Sequence, residues 1–257
     1  MKRSVARKVI AVALAAVLLI AVGTASAVRL QFGDFVLVAD GKFTPTALPK
    51  RHDSPISLQG KARISTASGK LPPILDKAVI EYDRHGSVQT AGLAICPGAK
   101  LEATNVATAR SRCPEAIVGE GVAHAIVKLP DQERIPISSP ITLFNGPRTN
   151  GFPTVFAHAY TTVPAPTALV VPVVIETIHL GAFGYRTKID IPTIAGGAGV
   201  LISGSLKIGK RWTYKGKRHS FVNARCEVGH LQVRGEFSFT DGTYVKGVLV
   251  KSCGVRD

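Results

Sequence analysis

From Ile56 onward, apolar and polar positions alternate with a period of two along most of the chain. Leu231, Val233, Gly235, Phe237 and Phe239 interleave with His230, Gln232, Arg234, Glu236 and Ser238, the pattern of a half-buried strand. Ala62 and Ile64 against Lys61, Arg63 and Ser65 read the same way, as do Ala78, Ile80 and Tyr82 against Glu81 and Asp83. Phe35–Ala39 predicts an earlier strand. Further strands are expected at Ser87–Cys96, Ala116–Leu129, Ile141–Phe144, Thr154–Val163, Leu169–Ile178, Tyr185–Ile191, Leu201–Ile208, Ser220–Cys226 and Thr243–Val250. Turn signals separate them at Asn145-Gly146-Pro147, Asn150-Gly151, Lys215-Gly216 and Asp241-Gly242. Many short strands with Gly/Pro punctuation predict a mainly all-β fold, an antiparallel β-sandwich or barrel-like architecture.

One segment breaks the alternation. Thr104–Arg112 is rich in Ala and Arg, offers Thr104 or Asn105 as N-cap, and meets Pro114 beyond Cys113. It predicts one short helix near 104–112, with Val106, Ala109 and Cys113 on a shared face. Residues 28–55 combine a strand with a Pro-rich linker around Thr44–Asp53. Residues 56–257 form the main β-sandwich domain, and a subdivision near 136–153 is an equal alternative.

The N-terminus changes the setting. Lys2, Arg3, Arg7 and Lys8 precede the apolar run Val9–Val22, and Ala25-Ser26-Ala27 is a small-residue cleavage signal. This is the layout of a secretory signal peptide, residues 1–27, cleaved after Ala27. The run falls short of the roughly 20 residues a spanning helix needs. The expectation is a secreted or extracytoplasmic protein without an integral membrane span after cleavage.

Export decides how the cysteines are read. Cys96, Cys113, Cys226 and Cys253 contain no C-x-x-C pair of the kind that marks zinc, so disulfides are expected. Of the three pairings, the sequential one closes the shortest loops: Cys96–Cys113 and Cys226–Cys253. Each would contribute about 3 kcal/mol in the chain-entropy account. Lys and Arg number 32 against 17 Asp and Glu, a formal net charge of +15. Such a surplus attracts anionic surfaces without choosing among them.

The stretches Gly92–Cys96, Cys113–Gly121, Phe144-Asn145-Gly146, Ile191–Gly199 and Lys207–Arg218 resemble those of a family of exported actinobacterial proteins. The resemblance brings no catalytic or ligand residues. It implies only export and an actinobacterial envelope or medium as the setting.

Catalytic signals are sparse. Gly204–Arg211 matches G-x-x-x-x-G-K but ends in Arg where Ser or Thr would hold magnesium, and it sits in a strand pattern. Ala195–Gly199 reads as a turn or bulge. No G-x-S-x-G elbow is present. The seven histidines are His52, His85, His124, His158, His179, His219 and His230, without an H-E-x-x-H pair. Asp83 with His85, and Glu120 with His124, have the spacing for acid/base work and equally for ordinary ion pairs. His158 shares strand parity with Phe156 and Tyr160, which suits a ligand groove or, more commonly, a satisfied histidine among packed rings. No catalytic residue, metal site or cofactor is expected.

Charge supplies the one functional candidate. No acidic residue lies between Asp190 and Glu227, while the same stretch holds Lys207, Lys210, Arg211, Lys215, Lys217, Arg218 and Arg225, with Trp212, Tyr214 and Phe221 among them. A hairpin turned at Lys215-Gly216 would gather these cations beside aromatic rings, which suits an anionic envelope polymer or another extracellular polyanion. Against it stands a solvated, charge-protected hairpin with its rings in the core. The expected function is a non-enzymatic secreted or envelope-associated binding protein. The alternatives are a secreted hydrolase with a site assembled from distant residues, and a purely structural envelope protein.

Overall fold

The computed structural model describes residues 27–256, so the leader and most of its cleavage signal lie outside the described residues. The first strands in chain order are β1 (Val28–Phe32), β2 (Phe35–Thr44), β3 (Ala47–Leu48), β4 (Ser54–Pro55), β5 (Ser57–Thr66), β6 (Leu75–Asp83) and β7 (Gly86–Val88). The helix α1 (Val106–Arg112) follows. Then come β8 (Ile117–Val127), β9 (Ile135–Asn145), β10 (Thr154–Thr161), β11 (Thr167–Leu180), β12 (Phe183–Asp190) and β13 (Gly199–Ile208). The chain ends with β14 (Arg211–Tyr214), β15 (Lys217–Ser220), β16 (Val222–Ala224), β17 (His230–Phe239), β18 (Tyr244–Ser252) and β19 (Gly254–Val255).

Twelve of these form one antiparallel sheet in the order β1-β2-β5-β13-β8-β9-β10-β11-β12-β6-β17-β18. The two edge strands approach each other, so the sheet is nearly closed into a barrel. At that seam a Cβ on Gly247 of β18 would lie 2.8 Å from Leu30 of β1, and one on Gly41 of β2 would lie 3.1 Å from Leu249 of β18. The fold is all-β with one short helix, as the alternation predicts.

Strand parity assigns the faces. Phe35 and Leu37 of β2 and Ile64 of β5 pack with Leu75, Phe239 and Val245 to fill one end of the barrel. At the other end Val118, Leu143, Val155 and Ile175 pack against Leu93 and Phe221, which lie outside the barrel strands. A neighbouring cluster at this end gathers Phe43, Leu48, Ile56, Ala224 and Cys226. The small sheet β4-β16-β7 and the segments around it therefore act as a plug.

Outside the barrel, Glu81 of β6 is 2% exposed, held by Arg186 of β12 and Arg234 of β17. Arg186 donates to Glu81 Oε1 from Nε at 2.9 Å and from Nη2 at 2.6 Å, and the Arg234 guanidinium lies 4.5 Å from the Phe183 ring centre. Glu81 opposes Arg186 and Arg234 directly in the register, so the three share one face.

The helix covers the outer face of β9 and β10. Asn105 is its N-cap, accepting from Thr108 N at 2.9 Å, a contact worth about 1 kcal/mol. Ala109 packs with Leu101, Ala116 and Phe144 around the Cys96–Cys113 disulfide. The second disulfide joins Cys226 to Cys253. Both pairings are the sequential ones.

Two expectations need correction. The strand expected over Ser87–Cys96 is only Gly86–Val88; beyond it the chain turns, because Val88 and Leu93 anchor a plug instead of extending a ladder. The strand expected at Ile141–Phe144 begins at Ile135 despite Pro136 and Pro140. The backbone ladder between β10 and β9 begins only at Ile141; before it β10 is met by the Ser139 side chain, which bonds Tyr160 N and O, so proline is tolerated at 136 and 140.

Candidate functional site

Residues 211–220 form the hairpin that the Lys215-Gly216 signal predicts. Lys215 (φ 49°) and Gly216 (φ 71°) both take positive φ, the requirement of a two-residue type I′ turn. Trp212 pairs with His219 and Tyr214 with Lys217, placing these four on one face. The Trp212 and His219 rings stack at 5.6 Å with a 20° interplanar angle. Trp212 Nε1 donates to Ala91 O at 3.0 Å, and His219 Nδ1 lies 3.3 Å from Gln89 Oε1. Tyr214 sits against Gly92, where an added Cβ would come within 2.2 Å of the ring. Gly92 also has φ +71°, so both shape and conformation require glycine. The aromatic face thus rests on residues 89–92.

The predicted cations divide into two groups. Lys210 is 3.5 Å from Glu115. Arg225 is 3.1 Å from both Asp53 and Glu227. Burial opposes the charge on Arg225, but its bonds to Asp53 and Glu227 outweigh that and raise its pKa. The same bond to Arg225 holds the Glu227 carboxyl below its ordinary range. Lys210 is thus neutralised by Glu115 and Arg225 by Asp53, both from distant parts of the chain, with Glu227, two residues on, completing the Arg225 pair. Arg211, Lys215, Lys217 and Arg218 are exposed and, among the described residues, have no ion-pair partner. Lys215 Nζ hangs 5.4 Å from the Tyr214 ring centre. Lys207 is exposed on β13, opposite Glu120 in the register.

Residues 88–91 are shared. The hairpin lies against one side, and a cleft of about 410 Å³ opens between them and Asn145, Arg148 and Pro153. Arg148 donates to Gly151 O at 2.7 Å and approaches Thr90 Oγ1 at 3.5 Å, which fixes a guanidinium at the rim. Gln89, Thr90 and Arg148 carry no motif, and only the fold joins them to the hairpin.

The histidines keep separate company. His85 is 4% exposed, with Nδ1 3.0 Å from Asp83 and Nε2 3.2 Å from Glu227. The Asp83–His85 spacing is therefore a contact, but the nearby Ser87 hydroxyl donates to Asp53 at 2.5 Å and not to His85. Glu120 pairs with Arg110 at 3.6 Å. His158 is fully buried; Nε2 lies 3.1 Å from Thr104 Oγ1 and 3.0 Å from Thr104 O, and burial lowers its pKa. Its ring meets Phe144 edge-on at 6.5 Å, the arrangement of a packed histidine. Among the described residues no group of three or more His, Cys, Asp and Glu is placed to hold a metal ion. No protein-family model and no curated protein matches the chain.

Proposed function

We propose that the protein is an exported, non-enzymatic binding protein that takes an anionic polymer on the β14–β15 hairpin. One observation carries the reading. The hairpin spends its aromatic face on residues 89–92 and leaves Arg211, Lys215, Lys217 and Arg218 unpaired among the described residues. Cations held on an anchored element lose less freedom on binding than cations on a mobile loop. Arg148 at the neighbouring rim adds positive charge to the same region. Lys207, Lys210, Trp212 and Arg225, which the sequence adds to the set, flank or support the surface. Recognition is by charge, without sequence or sugar specificity.

The setting belongs to the same proposal. Two disulfides fit an oxidising compartment, and no helix among the described residues is long and apolar enough to cross a membrane. The charged, apolar and small-residue blocks at the N-terminus support export, and the actinobacterial resemblance supports an envelope or medium. N-terminal sequencing of the exported protein should begin at Val28; a membrane-embedded form beginning at Met1 would defeat this part.

Binding is tested by fluorescence anisotropy with a labelled single-stranded DNA and with labelled polyphosphate. Affinity should fall steeply between low and physiological salt. Replacing Lys215, Lys217 and Arg218 with Ser should weaken binding while the far-UV spectrum stays unchanged. Full affinity in the triple variant, or no binding by the native protein at low salt, would end the proposal.

A further inference from the structure

The packed clusters occupy the two ends of the barrel; the belt between them is lined by small or only partly buried side chains, Ala62 resting on one cluster and Ile141 and Ala157 on the other. Gly60 of β5 faces inward by parity with Ile64 and Leu58, which belong to opposite ends. A Cβ built on Gly60 would meet no atom within 4 Å. One built on inward-facing Gly204 of β13 would meet only the Val122 carbonyl of the adjacent strand, at 3.7 Å. Leu206, paired with Gly60 in the register, is 37% exposed although it points inward. In a collapsed sandwich the inner faces interdigitate about 10 Å apart, and these positions would touch the opposite wall. Here they do not. Across the barrel, inward Ile80, Val171 and Val173 likewise keep accessible surface.

The gap follows from strand number and residue size. Eight strands make an interior that side chains just fill, and sixteen or more leave a channel. Twelve strands lined at mid-height by Gly, Ala, Val and Ile leave room that side chains do not occupy. The belt is uncharged. Its inward polar groups are Ser139, whose hydroxyl is already bonded to Tyr160 N and O, and Tyr82 and Thr187 on the far wall. At the end filled by Phe35 and Phe239, inward Ile135, Ile137 and Leu169 on β9 and β11 are only partly buried and join none of the core clusters, so that arc is the least packed.

We propose that the barrel interior is a binding site for the hydrocarbon chain of a lipid. A water in such a space needs two to four polar partners, which the belt does not supply, whereas an alkyl chain needs none. The space runs along the barrel axis between packed ends, a shape that suits a linear chain, with the hydroxyls of Tyr82 and Thr187 near its far end. The site is independent of the basic hairpin.

The test uses the neutral fluorophore N-phenyl-1-naphthylamine with delipidated mature protein. Saturable binding with one site per chain is expected, and it should change less than twofold between low and high salt. Hexadecanoic acid and lysophosphatidylcholine serve as competitors. Displacement by either supports the site and tells a free chain from one carrying a headgroup. Gly60→Leu and Gly204→Leu fill the belt at positions without positive φ, and either should reduce probe affinity at least tenfold with an unchanged far-UV spectrum. The outward Gln59→Leu is the control and should bind as the native protein does. The hairpin Ser variant should also bind fully, so failure here and failure of the polyanion reading are separate results. No binding by the native protein, displacement by neither competitor, or native affinity in both folded belt variants would overturn the proposal.

Discussion

Lys251 Nζ lies 2.8 Å from Asp40 Oδ1, joining the last barrel strand to the second across the seam that no backbone ladder bridges. The contact lies beside the pair Gly41–Leu249, so charge and packing close the barrel at the same place. The Lys251 hydrogen bond lowers the Asp40 pKa, against a burial effect that raises it. A depressed carboxyl contributes stability above its unfolded pKa and loses it as pH falls through the folded value. Asp40→Asn should therefore lower stability by about 1 kcal/mol at neutral pH. The deficit should vanish as pH drops below 3.8, the ordinary value, through the folded one. Urea melts of both proteins at neutral and acid pH check this.

Glu81 is the most heavily committed carboxylate on the outer face. Glu81→Ala would leave Arg186 and Arg234 facing each other without the anion between them. Breaking a buried pair costs about 3 to 5 kcal/mol, and the low end applies because both guanidiniums reach solvent. Thermal melts should show a clear loss in Glu81→Ala, and pairing Arg186→Met with Arg234→Met should recover much of it.

His158 predicts a separate acid sensitivity. Burial lowers its pKa from 6.5, so below that value the unfolded chain binds the proton first. Stability carried by neutral His158 is complete above about 6.5 and declines as pH falls toward the folded value. Glu227 and Glu236 are held below their ordinary 4.5 and titrate outside this window. The His158→Gln variant should have a lower melting temperature at neutral pH and a flatter dependence between pH 6.5 and 5. An unchanged slope would contradict this account.

The disulfides should be separable in effect. Cys226–Cys253 closes 27 residues and fastens β18 to the plug, so replacing both with Ala should cost about 3 kcal/mol. Non-reducing peptide mapping should recover Cys96 with Cys113 and Cys226 with Cys253. A crossed pair in the mature protein would contradict the observed geometry.

Much of this architecture is visible in the chain because the barrel strands have one face inward. His230–Phe239 alternates cleanly, and β17 occupies those residues. The Asn105 cap and the Lys215-Gly216 turn are local chemistry, and both appear as local chemistry predicts. Residues 87–96 mislead because a plug anchored by two apolar side chains resembles a strand in composition. The neutralisation of Lys210 and Arg225 was not readable either. Glu227 is a neighbour of Arg225, but Glu115 and Asp53 are 95 and 172 positions away from their partners, and neither forms a motif with them. The belt of small side chains is hidden for a related reason: Gly60 and Gly204 look like weak points in strands until the register puts them on the same inner wall.

The seam has a consequence for how the chain must be made. β1 is the first described strand and β18 among the last, yet they are the two margins that meet. A chain synthesised N-terminus first holds β1 waiting until residue 252 has emerged. Over that interval both margins are open ladders, able to pair with a second molecule. Pairings between distant segments are slow to form, which lengthens the exposure. In the completed barrel the side chains at the seam, Leu30, Leu249 and the Asp40–Lys251 pair, bring the two margins together, whereas a chain truncated before Tyr244 would lack β18 and leave its β17 and β1 margins apart.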